Sequence, residues 1–306
     1  MSIPTLPPFA TVTGLIDDSA GELAEAFSRA VSRIHGGAQF TLIVEGKTVL
    51  DVAGGSVQTD TPVQVFSVSK AVVSSAAAHA AQAGKLDLDQ PLAAYWPAMN
   101  KASTKNITAR MVLDHSCGIP VVSSPLTTDE LLEGGLDRAI ESQEPFWEPG
   151  TDHGYGAFTF GALMNGVFTH ALGADVSSYV EQNLTGSTGH NFWFGAPASE
   201  LNRLAALSFD FPILTEGTAK AIMDGRALFD GSFVPIMSGA PFFFTDPRVI
   251  QANWPSLSGV TTASDIAHLF AAITGVSHSN GLLSEVTVAD MTRQRRHGMD
   301  RTLHHV

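Results

Sequence analysis

The stretch Phe66-Ser67-Val68-Ser69-Lys70 leads into a run of small and apolar residues over 71–83, which ends at Gly84. A serine and a lysine three positions apart lie on the same face of a helix, because residues i and i+3 are neighbours there. The run behind Lys70 is apolar on nearly all sides, which predicts a buried helix. The stretch therefore predicts a buried helix with a hydroxyl and an amine close together at its start.

The position of Lys70 predicts an amine that is neutral near physiological pH. Burial penalises the charged form and lowers the pKa of a lysine, and the positive end of the helix dipole disfavours a cation in the first turn. A neutral Lys70 can take the proton of Ser67 and make its oxygen a nucleophile. The alternative is an ordinary N-cap serine, but a capping box requires Glu or Gln at the third helical position, where this sequence has Lys70.

The composition indicates a globular protein of one large domain or two lobes. The 306 residues are 44% hydrophobic and 15% charged, with a net charge of -13 that argues against nucleic acid and anionic membrane as partners. The single cysteine, Cys117, excludes an internal disulfide and gives no zinc pattern. The segment 1–8 lacks the basic start and apolar core of a signal peptide, so we expect a cytoplasmic protein.

The residues before Ser67 predict a helix followed by a hairpin. Apolar periodicity predicts the helix over 20–35, and β-rich runs predict the hairpin over 38–44 and 48–52. A further extended run, 63–66, leads directly to the serine. A helix, a hairpin and then a buried helix predict an antiparallel sheet covered by helices.

The residues after the buried helix are mostly helical in pattern. Helices are predicted over 107–115, 129–142, 158–171, 176–183, 198–207, 215–227, 264–273 with Ser264 as its cap, and 284–295, and a loop is predicted over 254–262. The chain is therefore divided into a sheet-containing α/β domain, 1–95 with 255–306, and a mostly helical domain, 96–254.

A second catalytic candidate lies in a loop punctuated by Pro and Gly, 147–157. Tyr155 stands between Gly154 and Gly156 in this loop, just ahead of a predicted helix. Its hydroxyl can point into a cleft and move protons beside a lysine amine. The alternative is a tyrosine that only packs and hydrogen-bonds at the junction of the lobes.

Three motifs appear in a fixed order: Ser67-Val68-Ser69-Lys70, the segment 107–120 with His115-Ser116 and Gly118-Ile119-Pro120, and Trp147-Glu148-Pro149-Gly150 followed by Gly154-Tyr155. Together they resemble the serine β-lactamase-like hydrolases, which share the fold of class C β-lactamases and penicillin-binding proteins. The likeness is closest to the family VIII carboxylesterases and covers about 20–300 of the chain. Three ordered motifs are more specific than any one of them.

The resemblance implies an α/β (α+β) fold, with an antiparallel sheet flanked by helices and an inserted helical lobe beside a cleft. It implies that Ser67 is the acylated serine, Lys70 the base and Tyr155 the tyrosine of a Tyr-x-Asn element. The backbone N–H of Ser67, at the start of a helix, would be one oxyanion donor. The reaction would pass through an acyl-enzyme that water hydrolyses, with no metal or organic cofactor.

The sequence departs from this pattern at two places. Ala157 stands where β-lactamases and peptidases keep an Asn that engages the substrate amide, which favours esters as substrates. The family's late strand with Lys-Thr-Gly, His-x-Gly or Trp-Gly-Gly, which supplies the second oxyanion N–H, has no counterpart, since the one His-x-Gly is His35-Gly36-Gly37. Either the form is truncated or another segment fills that edge of the sheet, and a missing oxyanion donor costs about 10²–10³ in rate.

Other enzyme classes lack their signatures. There is no Gly-x-Ser-x-Gly elbow of an α/β-hydrolase and no His-Glu-x-x-His zinc motif. We interpret His115 and His153 as structural, and Phe242-Phe243-Phe244 as core rather than as the wall of an acyl pocket.

The sequence thus predicts a serine hydrolase of the carboxylesterase type, with a small-molecule ester as its substrate. The alternatives are a β-lactamase or D-Ala-D-Ala peptidase, which Ala157 and the missing signal peptide disfavour, and a catalytically silent protein with a binding role. The sequence does not predict an oligomeric state.

Overall fold

The computed structural model describes residues 10–208, 228, 230–233, 243–276 and 281–303. Within these ranges, helices and antiparallel sheets alternate, which confirms the predicted α/β class. None of the helices described is both long enough and apolar enough to cross a membrane.

The first sheet contains the predicted hairpin and an additional strand. Strands β1 (Val12–Ile16), β2 (Gly37–Val44) and β3 (Lys47–Gly55) are ordered β1-β3-β2, and both pairings are antiparallel. Strand β1 was not predicted, because its side chains are mostly exposed and give no apolar alternation. Helix α1 (Gly21–Val31) packs on this sheet and ends four residues before the predicted boundary.

The second sheet lies beside the start of the buried helix. It consists of β4 (Val63–Phe66), β5 (Trp193–Phe194) and β6 (Gly259–Thr261), ordered β4-β6-β5 with antiparallel pairing. The prediction of a loop over 254–262 was wrong for its last part, since β6 pairs with both of the other strands. A strand of three residues is too short to show a period in the sequence.

Helix α2 (Ser69–Gln82) is buried, as its composition predicts. Val72, Val73 and Ala76 have no exposed surface, and these residues belong to the principal core of the molecule. Gly84, with φ of 68°, follows the helix in the left-handed conformation that glycine adopts without strain.

The remaining helices are short, apart from two of twelve and fourteen residues. They are α3 (Ala109–Leu113), α4 (Thr128–Leu132), α5 (Gly135–Ser142), α6 (Thr159–Leu172), α7 (Val176–Val180), α8 (Gly186–Thr188), α9 (Pro247–Ile250), α10 (Ala263–Thr274) and α11 (Glu285–Thr292). The described residues also contain a π-helical turn (Glu181–Thr185) and 3-10 turns (Asp18–Ala20, Leu92–Ala94, Pro97–Met99 and Gly231–Phe233).

Several predicted helices differ from the structure. Gly134 adopts φ of 76° and divides the helix predicted over 129–142 into two. The residues 198–207 form turns instead of a helix, and the N–H of Ala205 donates to the carbonyl of Pro62 instead of to a carbonyl within the segment. Thr262 rather than Ser264 caps α10, and the helix predicted over 215–227 lies outside the described residues.

The principal core draws on both of the predicted domains. It joins α2 to the middle helices through large side chains such as Met164 and Phe168, which are fully buried. A smaller cluster of Leu50, Val52 and Ala24 lies between α1 and the first sheet. The division at 95 and 255 stays a prediction.

Candidate active site

Ser67 lies in the turn that joins β4 to α2. The N–H of Lys70 donates to the carbonyl of Ser67 at 3.1 Å, which closes the first turn of the helix. Phe66, just before the serine, has φ of 44°, a conformation that costs free energy for a bulky side chain. This turn leaves the side chain of Ser67 exposed to solvent while the helix behind it is buried.

The amine of Lys70 is buried and faces Ser67. Lys70 is only 8% exposed, and its Nζ lies 3.2 Å from Ser67 Oγ. Nζ also donates to the carbonyls of Ala157, at 2.9 Å, and Ser256, at 3.0 Å. Burial lowers the pKa of Lys70 from 10.5 to about 7, so a large share of the amine is neutral at physiological pH.

Close packing between α6 and the turn 254–257 positions the two carbonyls that hold the amine. Ser256 Oγ accepts the N–H of Gly161 and donates to the carbonyl of Phe158 at 2.7 Å. A Cβ on Gly161 would come within 2.3 Å of the Ser256 nitrogen, so this approach requires glycine. Sequence reasoning did not find these acceptors, because a backbone carbonyl has no residue signature.

Tyr155 completes the cluster from the other side. Its hydroxyl donates to Ser67 Oγ at 2.6 Å, and Lys70 Nζ lies 4.8 Å from the centroid of its ring. Burial raises the pKa of Tyr155, although the hydrogen bond to Ser67 lowers it, so the phenol stays protonated at neutral pH. The structure thus brings Ser67, Lys70 and Tyr155 into one hydrogen-bonded group.

The ring of His115 packs against the ring of Tyr155, at the edge of the site. The two ring centroids are 5.1 Å apart, and His115 Nδ1 accepts the N–H of Gly156 at 3.2 Å. Burial lowers the pKa of His115 to about 4, with Lys70 nearby adding to this effect. The imidazole is therefore neutral at physiological pH, and its position indicates a role in supporting the Tyr155 loop.

Strand β6 is joined to the first turn of α2. The N–H of Gly259 donates to Ser69 Oγ at 2.9 Å, and Ser69 Oγ donates to the carbonyl of Phe66. Ser69, between the serine and the lysine of the motif, is fully buried. The hydroxyl of Ser69 therefore fixes the second sheet to the turn that carries Ser67.

Two concave regions adjoin α2 and the turn 254–257, and neither of them is lined by Ser67, Lys70 or Tyr155. A groove of about 870 Å³ runs between α2 and α11, and a smaller cavity of about 250 Å³ lies beside Trp254 and Ser256. Phe243 and Phe244 are buried in the principal core, as their apolar run predicts. No cluster of three or more His, Cys, Asp or Glu that could hold a metal occurs among the described residues.

Comparison with known proteins identifies relatives along most of the chain. The family profile described as Beta-lactamase matches residues 23–304. The esterase/β-lactamase LipL of Mycobacterium tuberculosis (strain ATCC 25618 / H37Rv) is 25% identical in an alignment 308 positions long, which covers 93% of this chain and 70% of LipL.

Solved structures have the same fold. EstA from Arthrobacter nitroguajacolicus Rue61a superimposes with a TM-score of 0.78 and is 28% identical, over 95% of this chain and 78% of EstA. A family VIII carboxylesterase has a TM-score of 0.79 and 22% identity, over 96% of this chain and 80% of its own. These similarities confirm the resemblance that the three motifs predict, and with it the β-lactamase/transpeptidase-like fold.

Proposed function

Since the chain belongs to the Beta-lactamase family, we propose that it is a serine hydrolase of the carboxylesterase type. It cleaves small esters through an acyl-enzyme on Ser67. The observation that carries this proposal is the hydrogen-bonded group of an exposed serine, a buried lysine and a tyrosine. This arrangement matches a nucleophile with two proton-transfer groups.

The neutral form of Lys70 acts as the base for Ser67. A neutral amine has two N–H bonds and one lone pair. When its N–H groups donate to the carbonyls of Ala157 and Ser256, the lone pair points toward Ser67 Oγ. The serine proton passes to Lys70 Nζ while Oγ attacks the ester carbonyl carbon, and the N–H of Ser67 stabilises the oxyanion.

Tyr155 acts as the general acid that protonates the leaving alcohol. The phenol is protonated at neutral pH and lies beside Ser67 Oγ, so it gives its proton to the leaving oxygen and regains one from Lys70. The C–O bond of the ester breaks and leaves the acyl group on Ser67. Water then attacks the carbonyl carbon of this acyl group, and Lys70 and Tyr155 take the proton of the water. The bond to Ser67 Oγ breaks, Oγ is reprotonated, and the free acid leaves.

Two observations favour esters over lactams and peptides. Residue 157 is Ala, so no side-chain amide is present there to recognise a substrate amide, and its backbone carbonyl holds Lys70. Among the relatives, one protein is named as a family VIII carboxylesterase, whereas the name of LipL, an esterase/β-lactamase, covers both substrate classes.

Labelling with a fluorophosphonate probe, followed by intact-mass measurement, tests the nucleophile. We expect one adduct on the wild-type chain and none on Ser67→Ala. Ser74→Ala is the matched control, since Ser74 lies on the same helix and its hydroxyl bonds only to the carbonyl of Lys70 in the described structure. Folded wild-type protein that takes no label supports the silent binding role instead.

Burst kinetics then rank the substrate classes. We expect nitrophenyl acetate to give a rapid burst of one equivalent and nitrocefin to react far more slowly. Faster turnover of nitrocefin would favour the β-lactamase alternative.

A further inference from the structure

A turn near the end of the described chain lies against the loop that carries Tyr155. The N–H of Arg301 donates to the carbonyl of His153 at 3.0 Å. A Cβ on Gly154 would lie 3.3 Å from Arg301 Cβ and 2.8 Å from the ring of Trp147, so the glycine allows the two segments to approach. This contact brings residues 300–302 next to the backbone of Tyr155.

The turn bonds both backbone polar groups of Tyr155. The N–H of Tyr155 donates to the carboxylate of Asp300, at 3.0 Å from Oδ2 and 3.3 Å from Oδ1. The carbonyl of Tyr155 accepts the hydroxyl of Thr302 at 3.0 Å. Tyr155 lies outside every helix and strand, so no regular backbone ladder fixes its position.

The carboxylate of Asp300 also builds the turn in which it lies. Its Oδ1 accepts the N–H groups of Thr302 and Leu303, each at 2.8 Å. The hydroxyl of Thr302 also lies 2.8 Å from Oδ1, and its single proton is shared between Oδ1 and the carbonyl of Tyr155. Burial raises the pKa of Asp300, but the hydrogen bonds from Leu303, Thr302 and Tyr155 outweigh it and lower the pKa overall. The group is therefore ionised at neutral pH, and a charged acceptor makes the stronger hydrogen bonds.

We infer that Asp300 and Thr302 are positioning residues for Tyr155: they hold its backbone so that its hydroxyl lies 2.6 Å from Ser67 Oγ. Neither residue touches Ser67 in the described contacts, so both act through Tyr155. This inference rests on the proposed function, because it assigns the tyrosine a role that depends on its exact placement. A displacement of about 1 Å in a reacting group can lower the rate about 10²-fold.

Asp300→Asn separates the two tasks of this side chain. The Asn carbonyl can take the place of Oδ1 and preserve the turn, whereas its amide replaces Oδ2 and cannot accept the N–H of Tyr155. The variant therefore loses the shorter contact, at 3.0 Å, and leaves Tyr155 with only the longer contact to the oxygen at the Oδ1 position, at 3.3 Å. We expect kcat for nitrophenyl acetate to fall about 10- to 100-fold with little change in KM, since the loss is in positioning for the chemical step.

Thr302 provides a second pair of variants. Thr302→Val removes the hydroxyl that bonds the Tyr155 carbonyl and Asp300 Oδ1, and it preserves the shape of the side chain. Thr302→Ser restores the hydroxyl. We expect the Val variant to lose kcat and the Ser variant to recover most of it, and this pair keeps the test available if Asp300→Asn does not fold.

A double-mutant cycle with Tyr155→Phe distinguishes positioning from general stability. If Asp300 acts through the phenol, Asp300→Asn has no further effect on kcat once that hydroxyl is removed. A merely structural role would lower kcat by the same factor in both backgrounds. Asp290→Asn is the matched control, because Asp290 is a multiply bonded carboxylate on α11 whose partners are Arg110, Arg293 and Arg295.

Failure of the positioning role and failure of the proposed function give different results. An active wild-type enzyme whose Asp300→Asn variant has the same kcat, or whose cycle is additive, overturns the positioning role and leaves the proposed function intact. A wild-type chain that neither hydrolyses the ester nor takes the fluorophosphonate overturns both.

Discussion

At the scale of single residues, we expect the burial of Lys70 to determine the pH range in which Ser67 reacts. Burial holds the pKa of the amine at about 7 in the folded protein. The base is the neutral form, whose fraction rises as pH rises through this value. We therefore expect kcat/KM for nitrophenyl acetate to rise with pH up to about 7 and to be level above it, in a profile measured from pH 5 to 9.

The identity of the titrating group can be checked within the same profile. His115 contacts Tyr155, but burial holds its pKa at about 4, so it cannot account for a change near pH 7. A profile that is already level at pH 5 would contradict a buried lysine base.

The hydroxyl of Tyr155 is expected to matter more than its ring. Tyr155→Phe removes the donor 2.6 Å from Ser67 Oγ and keeps the ring that packs on His115. Since proton transfer by a positioned side chain contributes about 10²–10⁴ in rate, kcat should fall by at least about 10²-fold with an unchanged thermal midpoint.

Tyr179→Phe is the matched control, because the hydroxyl of Tyr179 bonds His79 Nδ1 at 2.9 Å, within the helical part of the molecule. Equal losses of kcat in both variants would indicate a general effect of removing a phenol hydroxyl and not a role for Tyr155 in catalysis.

The sequence predicted these three side chains because their residue types carry the chemistry. Spacing placed Ser67 next to Lys70, and glycines indicated a loop around Tyr155. The carbonyls of Ala157 and Ser256 could not be predicted, because every residue has one. The sequence Asp300-Arg301-Thr302 predicts at most a local turn, and nothing in it points to a partner 145 positions earlier.

At the scale of elements, strand β6 approaches the start of α2 only because residue 259 is glycine. A Cβ there would lie 2.5 Å from Ser69 Oγ and 2.6 Å from the ring of Phe192. Gly259→Ala must therefore displace the strand or the helix, at a cost of about 1–3 kcal/mol in the free energy of unfolding, as overpacking in a core typically does. Urea denaturation measures this cost, and kcat should fall with it because Ser67 moves with the turn.

Gly21→Ala is the control for that substitution. A Cβ on Gly21 meets nothing within 4 Å, and the residue has φ of -55° at the first position of α1. Its free energy of unfolding should be unchanged or rise by about 0.4–1 kcal/mol. If Gly259→Ala behaved like Gly21→Ala, the close contact of β6 with α2 would be contradicted.

Helices and strands were predictable from the sequence where they are long and their apolar residues repeat with a single clear spacing. The hairpin of β2 and β3, helix α2 and helix α6 follow from their own residues. Strands β5 and β6 have two and three residues, and they form because β6 pairs with both β4 and β5 rather than through local preference. Because β6 was not predicted, the strand that adjoins the turn carrying Ser67 was missed.

At the scale of the whole molecule, one core supports helix α2 and the middle helices together. Phe168 on α6 is fully buried in the core that includes Val72 and Val73 of α2, and its ring lies 5.1 Å from that of Tyr179. Phe168→Ala should cost about 3–5 kcal/mol. We expect the urea midpoints measured by circular dichroism and by loss of esterase activity to fall together.

Val286→Ala serves as the control, because Val286 is a large apolar residue that is 80% exposed on α11. Both of its midpoints should equal those of the wild type. A Phe168→Ala variant that loses activity at much lower urea than ellipticity would contradict a core shared by the site and the helices.

The arrangement of the molecule was predicted from the order of motifs and not from local periodicity. The three motifs led to the fold that comparison with EstA supports. Local patterns alone predicted a helix over 198–207 that does not form. In the structure, the N–H of Ala205 donates to the carbonyl of Pro62, which is distant in the sequence. Such long-range bonds are not encoded in any short stretch.

The acyl-enzyme is the most direct test of the account. The protein is mixed with a nitrophenyl ester, quenched in acid during turnover, and analysed by intact mass and by peptide mapping. We predict an adduct with the mass of the acyl group on the peptide that contains Ser67, absent from Ser67→Ala. Ester hydrolysis without an adduct, or an adduct on any other residue, would contradict the account.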